Sequence, residues 1–312
     1  MIYILIAAAL MLLALPGLLH RWGRLIHPDD WSRWSLRSLL GGAVAAEAAL
    51  LLMAAPSVLD AAGLHGLAAI CARMAGAASL PAPSVAWLAA ASAILGPAVA
   101  LRCQRDAAAA DREIMSAALL APLRQIAGND VRVLPVSRPI ALSVASAAGL
   151  IVISEGLVAT LSSLELAAVI RHERAHHVLR HHRYLRIAAV VESTLGVFPG
   201  ARRSTVVLRT AVERAADEHA AAGHDDGRRQ IRSALLSVVF ANAPVSVAAF
   251  SSAQTVLERV KGLEGPAPDH NRRWMTSMPI LGASGIGGIA GATAVVHLGI
   301  AVTMFFSCPL TR

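Results

Sequence analysis

Arg171-His172-Glu173-Arg174-Ala175-His176-His177 carries an HExxH sequence in the middle of a stretch that reads as one helix. At about 3.6 residues per turn, two histidines four apart lie on one face about one turn from each other, so both rings reach a single metal ion. Glu173 follows the first of them and stands beside such an ion rather than on it. A carboxylate there can take a proton from a water whose pKa a zinc ion lowers toward neutrality, which is the chemistry of metal-assisted peptide hydrolysis. In a chain with 12 histidines the pattern can also arise by accident, with His172 and His176 sitting among His177, His181 and His182 on a solvated basic helix. The apolar approach through Leu164, Leu166, Ala167, Ala168, Val169 and Ile170 favours a packed helix, and with it the metal reading.

Two histidines leave a zinc ion short of a ligand, and a carboxylate from a second helix completes the His₂Glu type of catalytic site. Glu213-Arg214-Ala215-Ala216-Asp217 offers one: Glu213 and Asp217 are four apart and share a face, while Ala215, Ala216 and Ala220 are small enough for close packing. Asp217 can accept a hydrogen bond from the far nitrogen of a ligating histidine and hold its ring in place. The competing reading is an ordinary surface pair among Arg209 and Arg214. His219 and His224 are further candidates, either to stabilise the oxyanion of a tetrahedral intermediate or to replace Glu213 as ligand.

The elements that must position these residues are readable in part. Ser162 followed three residues later by Glu165 is a capping box that marks the start of the metal helix. That helix is expected to run on through His181, His182 and Arg183, all solvated. Residues 185–198 are short, and with Glu192 polar, for a full membrane span; the alternative is a piece that dips into the membrane surface before Pro199-Gly200 ends it. A second helix opens at Ser204 and stops at Gly223. Upstream, residues 107–126 read as a helix and 131–136 as a short strand, with two more strands at 140–146 and 150–153 turning at Ala147-Ala148-Gly149. Such a hairpin either offers an open edge to an extended substrate or only supports the metal helix. Residues 231–250 are apolar and expected to pack under the site.

Of the 312 residues 56% are hydrophobic, and the mean hydropathy is +0.58, which points to a membrane protein. Spans are expected at residues 2–19, 39–55, 80–101 and 279–306, with Glu47 and His297 as intramembrane polar residues, each either functional or hydrogen-bonded to a neighbouring helix. The net charge of +8 and pI of about 10.8 fit arginine-rich cytoplasmic flanks. Arg21, Arg24, Arg33 and Arg37 with Trp22, Trp31 and Trp34 form one, Arg102, Arg105 and Arg112 another, and Arg272 with Arg273 a third. With 4% aromatics and no basic-aromatic interleaving, direct nucleic-acid binding is not expected. Cys71, Cys103 and Cys308 are too few and too far apart for a disulfide framework or a paired thiolate site.

The expected fold is a mostly α integral membrane protein: about four transmembrane helices and a cytoplasmic zincin-like metalloprotease domain with a small β-hairpin or sheet. Its parts are a membrane region at 1–105, a zinc metallopeptidase domain at 106–273, and a last helix with a short tail at 274–312. Positive-inside counting puts both chain ends outside and the domain in the cytoplasm of a bacterial-type inner membrane. Residues 56–79, broken by Asp60, His65 and Arg73, are expected to form an external amphipathic loop.

The chain resembles the BlaR/MecR-type integral-membrane zinc metallopeptidases and, more distantly, the HtpX-type membrane proteases. The matching residues are Ile151-Val152-Ile153-Ser154-Glu155-Gly156-Leu157, the Glu165-Leu166-Ala167-Ala168-Val169 lead into His172-Glu173-Arg174-Ala175-His176, the pair Glu213 and Asp217, and Val197-Phe198-Pro199. The resemblance implies zinc ligands at His172, His176 and Glu213, a general base at Glu173 and a gluzincin-like helical core. It implies cleavage of a cytoplasmic or membrane-proximal protein, such as a transcriptional repressor in a signalling pathway or a quality-control substrate. Receptor members carry an extracellular sensor after the last span, whereas this sequence ends at Arg312, so sensing by such a domain is not expected. The rivals are a catalytically idle membrane protein that binds metal and signals by conformation, and a metal transporter. The latter needs ionisable residues in several spans, where Glu47 and His297 are nearly alone.

Overall fold

The computed structural model describes residues 2–75, 82–144, 149–242 and 249–265. The chain opens with the apolar helix α1 (Ile2–Leu18) and a short 3₁₀ turn at Trp22–Arg24. Helix α2 (Pro28–Ala61) starts with a proline in its first turn, where the missing N–H costs nothing. Glycine at position 63, with φ 78°, turns the chain into α3 (His65–Ala75). Residues 56–75 are therefore the end of one helix and most of another, not a loop. Helix α4 (Pro83–Leu120) follows and runs without a break past residue 106. Helices α2 and α4 are long and apolar enough to cross a membrane, and α1 is equally apolar but only 17 residues long. The expected fourth span with His297, the linker at 266–273 and Cys308 lie outside the described residues.

Helix α4 stops at Leu120, six residues short of the expected end, because Ala121 precedes Pro122 and is pushed to extended backbone at ψ 145°. The chain then forms strand β1 (Leu123–Ile126), which hairpins onto β2 (Asn129–Leu134). Strand β3 (Ala141–Ser143) pairs antiparallel with β4 (Ile151–Ser154), and β4 pairs parallel with β2, giving the order β1-β2-β4-β3. All four residues of β4 are buried, as a central strand covered on both faces requires.

Helix α5 (Glu155–Thr160) leaves β4 at a tight junction: the Ser154 hydroxyl donates to the Arg138 carbonyl and accepts from the Ile140 and Leu157 amides. A β-carbon on Gly156 would stand 1.9 Å from the Ser137 carbonyl oxygen, a backbone atom that cannot swing aside. Gly156→Ala is accordingly expected to cost about 1–3 kcal/mol or more, read as a lowered thermal midpoint, with β3 displaced from the site.

Four helices follow: α6 (Ser163–Val178), α7 (His181–Leu195), α8 (Pro199–Ala221) and α9 (Gly227–Asn242). Helix α10 (Ala249–Glu264) comes last. The expected capping box is present on α6, with Ser162 and Glu165 bonded reciprocally. The metal helix does not continue through His181: Arg180 adopts a left-handed conformation (φ 55°, ψ 38°) and bends the chain into α7. Pro199 begins α8 rather than merely ending α7, five residues before the expected start, because proline suits the first helical turn. One core joins Val131, Val133, Ile151 and Ile153 of the sheet to Leu166 and Ile170 of α6 and Ala234 of α9. Another joins Leu13 of α1 and Leu39 of α2 to Ala188 and Val191 of α7 and Ala201, Leu208 and Val212 of α8. Helices α1 and α2 thus share a core with α7 and α8, while the metal helix α6 packs against the sheet, α8 and α9.

Candidate metal centre

Helix α6 crosses α8 so that three side chains face one another across a small gap. His172 Nε2 and His176 Nε2 are 3.2 Å apart. Glu213 sets Oε2 at 3.4 Å from His172 Nε2 and Oε1 at 3.8 Å from His176 Nε2. All three donor atoms lie within 4.8 Å of one another, and they form the candidate metal-binding group found among the described residues. A tetrahedral zinc ion with bonds of about 2.0–2.2 Å spaces its ligand atoms by about 3.3–3.6 Å, close to the separations of the two ring nitrogens and of each from its nearer Glu213 oxygen. Small residues make the crossing possible: Ala168, Ala175, Ala215 and Ala216 are all buried between the helices.

Behind His172, Asp217 Oδ1 lies 3.0 Å from Nδ1. Asp217 is 1% exposed, and its charge is balanced by Arg259 of α10, whose Nε and Nη2 donate to Oδ2 and Oδ1 at 2.8 and 2.7 Å. The same guanidinium places Nη1 at 3.1 Å from Glu213 Oε2. One arginine therefore bridges the candidate ligand and the carboxylate that steadies the other ligand. Behind His176, His181 Nδ1 stands 3.1 Å from Nδ1, at a position that is buried rather than solvated.

These contacts polarise the site. Burial disfavours the charge on His172, but the hydrogen bonds to Asp217 and Glu213 overcome it and raise its pKa to about 10. Burial, aided by the nearby His172, lowers His176 to about 4, although Glu213 opposes it. Burial would raise the Glu213 carboxyl, yet Arg259 and the two histidines hold it well below the usual carboxylate range. Burial pushes Glu173 upward; His172 and a hydrogen bond from Ser143 of β3 oppose it, and Glu213 reinforces it.

A consequence for metal loading follows from the sign of the His172 shift. Below about pH 10 the metal-free site holds a proton on His172 that zinc must displace, whereas His176 is already neutral above about pH 4. Zinc affinity should therefore rise about tenfold per pH unit between pH 6 and 9. Titration calorimetry in two buffers of different ionisation enthalpy should report about one proton released per zinc at neutral pH.

The gap opens into a cavity of about 420 Å³. Its chemical wall is His172, Glu173, His176, Glu213 and Arg259, and Ile231, Ala234 and Val238 of α9 with Val169 and Leu157 make it apolar on the other side. Residues 231–238 thus flank the site as expected. All three residues of β3, an edge strand among the described elements, border the cavity. His219 and His224, the other candidates, are exposed and do not line it. Arg259, His181 and Ser143 were not singled out from the sequence.

The arrangement brings together two helical histidines, a glutamate one position after the first, and a carboxylate from a second helix, a set that could hold a metal ion. Residues 141–251 of the chain match Peptidase family M48, a zinc metallopeptidase family, and the match supports that family for the segment from β3 into α10. No curated protein and no solved structure matches the chain.

Proposed function

We propose that this chain is a membrane-embedded zinc-dependent endopeptidase that cleaves a cytoplasmic or membrane-proximal protein. The observation that carries the reading is the meeting of His172, His176 and Glu213 at zinc spacing, beside Glu173, in a cavity bordered by an edge strand. When bound, zinc supplies Lewis acidity: it polarises a peptide carbonyl and makes water acidic near neutral pH. Glu173, half-buried and raised in basicity, takes a proton from the attacking water and delivers it to the leaving amine. Asp217 holds the His172 ring, and Arg259 holds Asp217 and Glu213. A substrate strand lying along β3 brings its carbonyl over the donor triangle and an apolar side chain against Ile231, Ala234 and Val238.

Helices α2 and α4 cross the membrane with α1 beside them, and the metallopeptidase domain that follows α4 sits on the cytoplasmic face. The length and apolarity of α2 and α4 and the arginine clusters support this topology. By its resemblance to the BlaR/MecR type, the substrate is a cytoplasmic repressor whose cleavage passes on a signal. The intact proteomes of cells carrying the native chain and of cells carrying Glu173→Gln test the function. A protein that accumulates uncut only in the variant identifies the substrate, and indistinguishable proteomes overturn the peptidase reading.

A further inference from the structure

We infer that the turn joining α7 to α8 is inserted into the membrane, among the acyl chains of the leaflet that holds the C-terminal end of α1. The inference rests on the membrane reading of α1, α2 and α4 given above, and not on the chemistry of the metal centre.

Its basis is where α8 begins. Helix α8 does not start below the apolar helices but alongside them: a β-carbon on Gly200 would be 2.8 Å from the Ala14 β-carbon, within α1. One turn on, the buried Ser204 hydroxyl accepts the Gly17 amide at 2.9 Å. Leu13 of α1 and Leu39 of α2 share a core with Ala188 and Val191 of α7 and Ala201 of α8, so both arms of the hairpin are packed at that level. The turn between them is therefore level with uncharged residues of α1, about one helical turn or more above its end.

At that level the turn shows apolar side chains to the outside. Val197 is 83% exposed and Phe198 43% exposed. Leu10 and Met11 of α1 are also exposed, so the apolar surface of the turn continues that of the helix beside it. In water, Val197 and Phe198 at the tip of a helical hairpin would gain nothing, whereas among acyl chains their apolar surface leaves water, which favours insertion.

The next turn of α8 changes character as a membrane boundary requires. Arg202 and Arg203 are exposed there, and Arg203 Nη2 lies 3.5 Å from His20 Nδ1, just past the end of α1. Long arginine stems lying along apolar surface carry their charge out to lipid phosphates. Further down α8, Arg214 donates from Nη1 to the Gly23 carbonyl at 3.3 Å, and Glu213 is its neighbour. From Ser204 to Glu213 the helix rises about 14 Å. The hairpin thus fixes the metal centre about that far from the level of Gly17, within reach of polypeptide lying close to the membrane surface.

Site-directed spin labelling of the full chain in lipid vesicles tests this, in a background with Cys71, Cys103 and Cys308 replaced by alanine. Nitroxides are placed singly at Val197→Cys, at Val44→Cys on the exposed face of α2, and at Val178→Cys at the exposed end of α6. Collisions with oxygen, which concentrates in lipid, are compared with those with a water-soluble nickel chelate. The label at 197 is expected to match that at 44, with high oxygen and low nickel accessibility, while 178 shows the reverse. Nickel accessibility at 197 equal to that at 178, with 44 still in lipid, overturns the insertion alone. Low accessibility to both reagents at 197 also overturns it, because the turn is then covered by protein. Water at both 44 and 197 overturns the membrane reading as well.

Discussion

Glu173→Gln is expected to keep its zinc and its fold while peptide cleavage falls by about 10²–10⁴-fold. The amide is nearly isosteric with the carboxylate, and Glu173 is not one of the three residues whose donor atoms face one another, so metal content should not change. What the substitution removes is a half-buried base, held beside His172 and hydrogen-bonded by Ser143. A glutamine there can orient a water but cannot accept its proton. Single-turnover cleavage of the identified substrate, with zinc measured in the same samples, separates the two effects. Equal loss of zinc and activity would mean that Glu173 acts as a structural or ligating group. Full cleavage by the variant would mean that Glu173 is not the base, whereas signalling that is unaffected by the substitution, with no cleavage by either protein, would favour the catalytically idle reading.

The second large effect is expected at Arg259. Arg259→Leu leaves Asp217, which is almost fully buried, without the guanidinium that meets it through two hydrogen bonds. It also strips Glu213 of its nearest arginine contact. Breaking a buried ion pair by removing one partner costs about 3–5 kcal/mol, because a buried charge is left uncompensated. Zinc at the site supplies part of the missing positive charge, so the loss should be larger without metal than with it. Arg229→Leu is the control: its pair with Asp226 is exposed and 3.6 Å long, and such pairs contribute about 0–1 kcal/mol. Unfolding followed with and without zinc should therefore show a large, metal-dependent deficit for Arg259→Leu and almost none for the control. Equal deficits in the two variants would contradict the bridging role.

The difference between these two residues is also the difference between what the sequence could and could not show. His172, Glu173 and His176 are legible because one helix enforces their geometry: spacing in the chain is spacing in space. Ser162 and Glu165 are legible for the same reason, and Glu213 with Asp217 are nearly so, since their shared face needs only one more helix. Arg259 meets Asp217 from 42 residues away, where no local period marks it among the other arginines. His181 was read as solvated because the helix was extended through Arg180. A single left-handed residue returns that ring to His176. The early end of α4 is legible in the sequence, since Ala121-Pro122 disfavours helix at the residue before proline. Pro199 was read as a stop, but the same fixed φ that ends one helix can begin another.

X-ray absorption at the zinc edge of the metal-loaded full chain tests the central claim most directly. The account predicts nitrogen and oxygen neighbours only, at about 2.0–2.2 Å, with the outer-shell signature of two imidazoles. One light neighbour should be lost or exchanged in Glu213→Ala, and one imidazole in His172→Ala or His176→Ala. A first shell containing sulfur, or a spectrum unchanged by all three substitutions, would place the ion elsewhere and contradict the account.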